Sequence, residues 1–513
     1  MNSRLQVLDR YTQISELGEV VRGVIQRGIL PLSLAAVLVP ALLFFKNDQN
    51  WVALFVMCLG TVLALGIWQA KAVGLPLLPM MAVQHLAAYG IPLVSNNETL
   101  AKYSADNITQ AGVEVGIFIT SMALAWRFGM ELFQTRESRC YALRAFAQND
   151  GRTRLLGGVI LILVTTVYNL LVSLKLVGFI LGILPDGTYS IFTAIIKSVT
   201  MAGYFLVAMS IGANEAKTGL RLLFWATLTL NALIMASGFL LSAVTNLFAA
   251  VVLGLFWSSG RLPWRFFLIA TLPLALLHLG KFEMRERYWG DKEDSFSPMI
   301  QNLPGYYGEW IDASLRNLPG AKKEQPDFGA RKKETSGLLA RVDNLQNLLF
   351  AIDAVEGKSL PTLGGATYSL IPPLLIPRIF WPEKPRAHEG QVLLNVHFGR
   401  QELNATFTTY IAWGLLPEAY GNFGALWGSI ILGLSLGLFF AWAEVITAMK
   451  PLLSLEGLIT FALFMELTVS FENVASVQLT SLFQSGLIIA MACIPFVYQT
   501  KFVRPETPPL DTQ

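Results

Sequence analysis

The chain has 513 residues, 54% of them hydrophobic and only 14% charged. Soluble domains run nearer 25% charged, so an ordinary water-soluble enzyme and a disordered chain are both excluded. A formal net charge of +3 and four histidines leave no basic face for nucleic acid and no Cys/His zinc cluster.

The charges are unevenly placed. Residues 280–421 hold 16 Lys/Arg and 17 Asp/Glu, which leaves 40 charges for the other 371 residues. One polar island therefore sits in a very apolar chain. Cys58, Cys140 and Cys493 lie outside that island and offer neither a disulfide framework nor metal-type spacing.

Residues 1–28 read as an amphipathic cytoplasmic segment, with Leu5, Leu8, Leu17, Val21, Val24 and Ile25 at near-helical spacing between arginines. A spanning helix needs roughly 20 mostly apolar residues. By that ruler spans are predicted near 29–45, 50–68, 74–94, 109–132, 155–174, 190–211, 219–236, 237–258 and 264–280. After the island come 422–445, 453–470 and 479–499. The third, with Pro76 and Pro79, is expected to be kinked or re-entrant. The apolar stretch 176–184 is too short to cross. The predicted fold is an all-α, polytopic membrane bundle of about 12 helices. Its parts are a membrane domain (29–280), one large extracytoplasmic loop with amphipathic helices (281–421), a second membrane domain (422–499) and a tail (500–513).

Orientation follows from Lys and Arg in the short loops. With the N-terminus in the cytoplasm, seventeen of them fall inside and only Lys46, Lys102 and Lys175 outside. Both termini are then cytoplasmic and the island is extracytoplasmic. A transporter places its polar groups near the bilayer midplane. Here they gather outside, which suits an enzyme acting on a membrane-bound substrate.

In the island, Lys281, Arg285 and Tyr288 share a helical face just beyond the ninth span. Cations there suit a diphosphate, although Glu283 and Glu286 are interleaved and self-pairing explains them equally. Residues 291–335 read as a solvated connector. Residues 336–356 read as an amphipathic helix bearing Arg341 and Asp343. The densest part is 376–389, where prolines 377, 382 and 385 forbid a regular helix and Arg378, Lys384 and Arg386 crowd beside Trp381. Cations beside an exposed aromatic suit a phosphate next to a sugar, while a membrane-interface belt is the plainer alternative. Glu418 is a candidate acid/base, or a carboxylate at a helix start. Lys197, two turns inside the sixth span, is either a diphosphate contact or a snorkelling lysine.

These stretches carry a resemblance. The chain resembles bacterial polysaccharide repeat-unit polymerases of O-antigen, capsule and exopolysaccharide synthesis (the Wzy type). It does so through Leu75–Pro79 with Tyr89-Gly90-Ile91-Pro92, Lys281–Trp289, Arg341-Val342-Asp343, Gly365-Ala366-Thr367-Tyr368, the string Pro377-Arg378-Ile379-Phe380-Trp381-Pro382-Glu383-Lys384-Pro385, and Tyr420-Gly421-Asn422-Phe423-Gly424. The resemblance implies an inner-membrane glycosyltransferase, without metal or cofactor, that polymerises polyprenyl-diphosphate-linked oligosaccharide repeat units. Its expected partners are those lipid-linked oligosaccharides, the bilayer, and a chain-length regulator and flippase of the same pathway. By the same analogy Arg378, Lys384, Arg386, Arg285 and Lys197 hold the diphosphate, with Lys281, Arg341, Trp381 and Tyr420 nearby as substrate contacts. Glu389, His388 or Glu418 serves as base. A ligase using the same donor and a flippase of lipid-linked glycan are the rival expectations.

Overall fold

The computed structural model describes residues 14–46, 48–95, 97, 100–137, 146–148, 151–177, 188–239, 241–289, 300–318, 343–376, 380–381, 383–407, 409–448, 455–469 and 472–500. It is all-helical apart from a three-residue antiparallel pairing of β1 (Phe146–Gln148) with β2 (Tyr498–Thr500). The first nine helices are α1 (Ile14–Phe45), α2 (Trp51–Lys71), α3 (Leu77–Val94), α4 (Ala105–Glu137), α5 (Gly151–Ser173), α6 (Thr188–Gly212), α7 (Thr218–Ala236), α8 (Leu241–Ser259) and α9 (Trp264–Trp289). Then come α10 (Leu303–Arg316), α11 (Leu345–Ile352), α12 (Ile371–Leu375), α13 (Glu389–His397), α14 (Leu415–Phe423), α15 (Trp427–Ala448), α16 (Leu455–Val469) and α17 (Ala475–Val497).

Among the described residues 11 helices, α1–α9, α15 and α17, are long and apolar enough to cross a membrane. A helix satisfies its own backbone, the requirement that hydrocarbon imposes. The outward faces are apolar to match: Leu30, Leu34, Leu38 and Leu42 of α1 are all exposed. The eleventh predicted span, 453–470, contributes α16, of which 15 residues are described, and it is not among those 11 helices. The N-terminal segment also differs from expectation. Its described part, from Ile14 on, is one helix with the first span, and α1 runs on through Pro31 and Pro40. The third span departs from a regular α-helix, though not at Pro76 or Pro79, which sit at the N-cap and in the first turn of α3. A π turn at Leu86–Gly90 stands two residues before Pro92, which lacks the N–H that would continue an α ladder.

The described helices form two compact units. One holds α5–α10. Its core gathers Ile162, Tyr204, Val207, Phe224, Leu228, Leu247 and Val251, threaded by a polar network. In that network Asn169 Nδ2 donates to Asn231 Oδ1 at 2.6 Å, and Asn231 Nδ2 reaches Thr166 Oγ1 and the Tyr204 hydroxyl, each at 2.8 Å. The other unit holds α1–α4, α11–α16 and the first part of α17. There α4 is gripped on two sides through small residues: Gly112 and Gly116 meet Ala53 and Val56 of α2, while Gly433 and Gly437 of α15 meet the α4 backbone near Phe118 and Met122. Such residues let membrane helices approach closely. The units divide the chain differently from the sequence's run of membrane domain, loop and membrane domain.

Residues 343–423 form a module within the second unit. The amphipathic helix expected at 336–356 is described from Asp343 onward and lies on protein. Leu345, Leu348, Leu349 and Ile352 of α11 are fully buried, packed against α14 and α4. A π turn, Asp353–Gly357, ends α11 and turns Asp353 and Glu356 toward the surface.

Candidate active site on the 343–423 module

Three of the predicted residues meet at the start of α13. The Arg386 Nε–H donates to Glu389 Oε2 at 2.9 Å, and its guanidinium lies 4.8 Å from the Phe407 ring centroid. Its Nη1 is shielded from solvent and has no hydrogen-bond partner among the described residues. Glu389 opens α13, where the helix dipole favours a carboxylate. His388 stacks on Tyr410, centroids 4.5 Å apart, and its Nδ1 lies 2.8 Å from Gln391 Oε1. A cation, a carboxylate, an imidazole and two aromatic rings are thus held together by one short helix start and the 404–413 loop.

A second cation in the module escaped the sequence reading. Arg400 follows α13 and folds back over two rings, 5.1 Å from Phe350 and 5.9 Å from Trp413. Its Nη2 donates to Asn347 Oδ1 at 2.8 Å and its Nη1 reaches the Ala412 carbonyl at 3.5 Å. Asn347 is fixed in turn, donating to Asn344 Oδ1 and the Trp413 carbonyl. Asn344 Nδ2 donates to the Tyr89 hydroxyl at 2.9 Å, and Trp413 Nε1 to Asn395 Oδ1 at 2.7 Å. Arg400 forms no ion pair among the described residues, and burial lowers its pKa. Stacking on a ring returns about 2 kcal/mol for a desolvated cation, against several kcal/mol to take an unpaired charge out of water. No sequence pattern marks this residue; its meaning lies in partners that are absent.

Glu418 and Tyr420 are fully buried and serve as internal staples. Glu418 accepts from Thr367 Oγ1 at 2.7 Å and from the Ala475 N–H, the first of α17, at 2.6 Å. Asn422 Nδ2 completes the knot, donating to Thr367 Oγ1 at 2.9 Å. Burial pushes the Glu418 carboxyl up to about 7, against the two hydrogen bonds that lower it. The Tyr420 hydroxyl donates to Glu356 and receives Gln110 Nε2 at 3.0 Å. Burial and that carboxylate both raise its pKa. A group with no exposed surface cannot meet a substrate hydroxyl in this conformation, so of the three candidate bases only His388 and Glu389 are presented.

No family model, curated protein or solved structure matches this chain significantly. The site therefore rests on its own chemistry. Lys384 turns inward: its Nζ donates to the Leu374 and Ile376 carbonyls at 2.8 and 2.5 Å, closing the end of α12 as a basic side chain near a helix C-terminus does. Trp381 is exposed. Arg378 and Arg341 lie outside the described residues. Among the described residues no group of three or more His, Cys, Asp or Glu is placed to hold a metal ion.

Lys197, Lys281 and Arg285 belong to the α5–α10 unit. Lys281 is buried, 6.0 Å from the Phe282 ring. Arg285 Nη2 donates to the Phe239 carbonyl at 2.8 Å, in the turn after α7 where Phe239 takes φ +60. The third member of their face, Tyr288, donates its hydroxyl to Glu309 at 2.7 Å. This face fastens α10 and the α7–α8 turn to α9. Lys197 is exposed on α6. The same unit has a groove of about 820 Å³, walled by Trp225, Leu228, Phe248, Ile269, Leu274 and Tyr307, with Arg265 its one charged wall residue. Such a wall suits hydrocarbon and not a sugar.

Proposed function

We propose that the chain is an integral membrane glycosyltransferase that joins polyprenyl-diphosphate-linked oligosaccharide repeat units at the outer face of the bacterial inner membrane. The observation that carries this reading is the Arg386 group: a guanidinium with a shielded, unpartnered Nη1 beside Glu389, His388, Phe407 and Tyr410. It stands in the polar island of the sequence, outside the 11 helices long and apolar enough to cross a membrane.

Glycosyl transfer from a lipid diphosphate builds negative charge on the leaving phosphate as the bond from the sugar C1 breaks. A fixed guanidinium stabilises that charge where it develops, and Arg386, held by Glu389, supplies one. The acceptor hydroxyl must lose its proton as its oxygen bonds to C1. With the Nδ1–H of His388 donated to Gln391, Nε2 is left to accept that proton. Phe407 and Tyr410 offer ring faces for the sugars. Glu389 orients, and Glu418 keeps the module seated on α17.

The test is Arg386→Ala and His388→Ala in the native host, with the lipid-linked glycans separated by size. Single repeat units accumulating on the outer leaflet support polymerisation. Units trapped on the cytoplasmic leaflet indicate a transporter, and long polymer left on its lipid indicates a ligase. Normal chain lengths in both variants remove Arg386 and His388 from the chemistry.

A further inference from the structure

We propose that Arg400 anchors a second oxyanion site on the module, one that takes a phosphate or diphosphate group. The assignment of that group to a second lipid-linked substrate rests on the polymerase reading; the anion site itself does not.

The argument starts from what Arg400 lacks. A guanidinium has five N–H donors, and Arg400 uses two, on Asn347 and Ala412. Its Nε makes no hydrogen bond among the described residues and is not among their fully buried unpaired atoms. Among the described residues, Glu402 two positions on is exposed and forms no ion pair with Arg400, and the three acids of the 343–356 segment are committed elsewhere. Asp343 accepts from Asn97 Nδ2 at 2.6 Å and the Gln346 N–H at 3.2 Å. Asp353 pairs with Lys358 at 3.1 Å, and Glu356 holds Tyr420 and Gln110. Arg400 is therefore a half-buried charge, aimed by Asn347 and two rings, with N–H donors left over and no counter-ion among the described residues. A planar fork of this kind matches phosphate oxygens in pairs. Lys358 adds a second cation on the same ring, 5.7 Å from the Phe350 centroid, and Tyr103 lies within electrostatic range of Arg400 and Asp353.

The site also stands near the first. Arg386 lies over Phe407 and Arg400 touches the Ala412 carbonyl. Phe407 and Ala412 are five positions apart in the chain, which keeps their Cα atoms within roughly 18 Å of each other. A reaction between two lipid diphosphates needs two anion sites on one surface. Arg386 and Arg400 supply them.

The experiment uses the full chain in lipid nanodiscs. Arginines are labelled with phenylglyoxal and mapped by mass spectrometry, with and without inorganic diphosphate. The expected result is protection of Arg400 by diphosphate, and at least tenfold weaker diphosphate binding by calorimetry in Arg400→Gln, with Arg400→Lys intermediate. Farnesyl diphosphate added as a second probe separates the sources: tighter binding than inorganic diphosphate marks a lipid-linked ligand, and equal binding marks a free anion. No protection of Arg400 by either probe, or protection confined to other arginines, overturns the site, and needs no variant to fold. Lost binding in Arg400→Gln alongside normal glycan chains in cells keeps the anion site and removes its assignment to a second lipid-linked substrate, while the polymerase reading stands or falls separately with Arg386→Ala and His388→Ala.

Discussion

Replacing Glu418 by Gln separates a staple from a base. The carboxyl has no exposed surface, and burial holds its pKa at about 7 instead of the ordinary 4.5. The folded state therefore keeps a proton that the unfolded state has already released between those values. Stability from this group is fully present below pH 4.5, falls as pH rises toward 7, and is flat above it. At 1.36 kcal/mol per pH unit the loss comes to about 3 kcal/mol. The amide of the Glu418→Gln variant would not titrate, and would keep an oxygen for the Ala475 N–H and an NH2 for the Thr367 hydroxyl. Melting of both proteins in detergent between pH 4.5 and 8 is the assay. The variant should melt close to wild type at pH 4.5 and progressively above it toward pH 7, while its glycan chains keep their normal length. A gap that stays constant with pH, or reverses, refutes the reasoning. Lost polymer in a variant that melts normally would make Glu418 the base after all.

Lys384→Ala removes two bonds, to the Leu374 carbonyl of α12 and the Ile376 carbonyl just after it, at a cost of about 1–2 kcal/mol. It should lower the melting temperature yet leave polymer in cells, whereas a substrate ligand would lose polymer with its melting unchanged. Gly437→Val drives a side chain into the Met122 carbonyl of α4, an overpacking worth about 1–3 kcal/mol or more, visible as early melting and a broadened size-exclusion peak. Asn231→Leu strands Asn169, Thr166 and Tyr204. Buried membrane hydrogen bonds average about 0.6 kcal/mol, so the three lost bonds should together destabilise by about 2 kcal/mol; an unshifted melt would mean the network is not glue.

Much of the fold was legible because apolar runs of bilayer length admit few alternatives. Eleven of the twelve expected spans correspond to helices that qualify by length and composition among the described residues. The Arg386, His388 and Glu389 cluster was legible for a local reason: the three stand within four residues, and proline at 385 keeps them off a regular helix until Glu389 starts one. Distance in sequence hid the rest. Glu418 acts on Ala475, 57 residues away, and nothing near either residue signals it. Lys281 and Arg285 share a helical face as their spacing requires, but what that face touches, the Phe239 turn and α10, is a tertiary fact. Arg400 is the extreme case. Its neighbours Phe350 and Trp413 come from two other segments, and its distinguishing property is the lack of an ion-pair partner among the described residues.

The central claim is that this chain lengthens lipid-linked glycan. The direct measurement gives the purified protein in nanodiscs a polyprenyl-diphosphate-linked repeat unit and follows product size on gels over time. A ladder of lipid-linked products, lost in Arg386→Ala and His388→Ala while both variants melt as wild type does, is the predicted result. Unchanged single units with the folded wild-type protein, or a ladder that persists in both variants, would contradict the account.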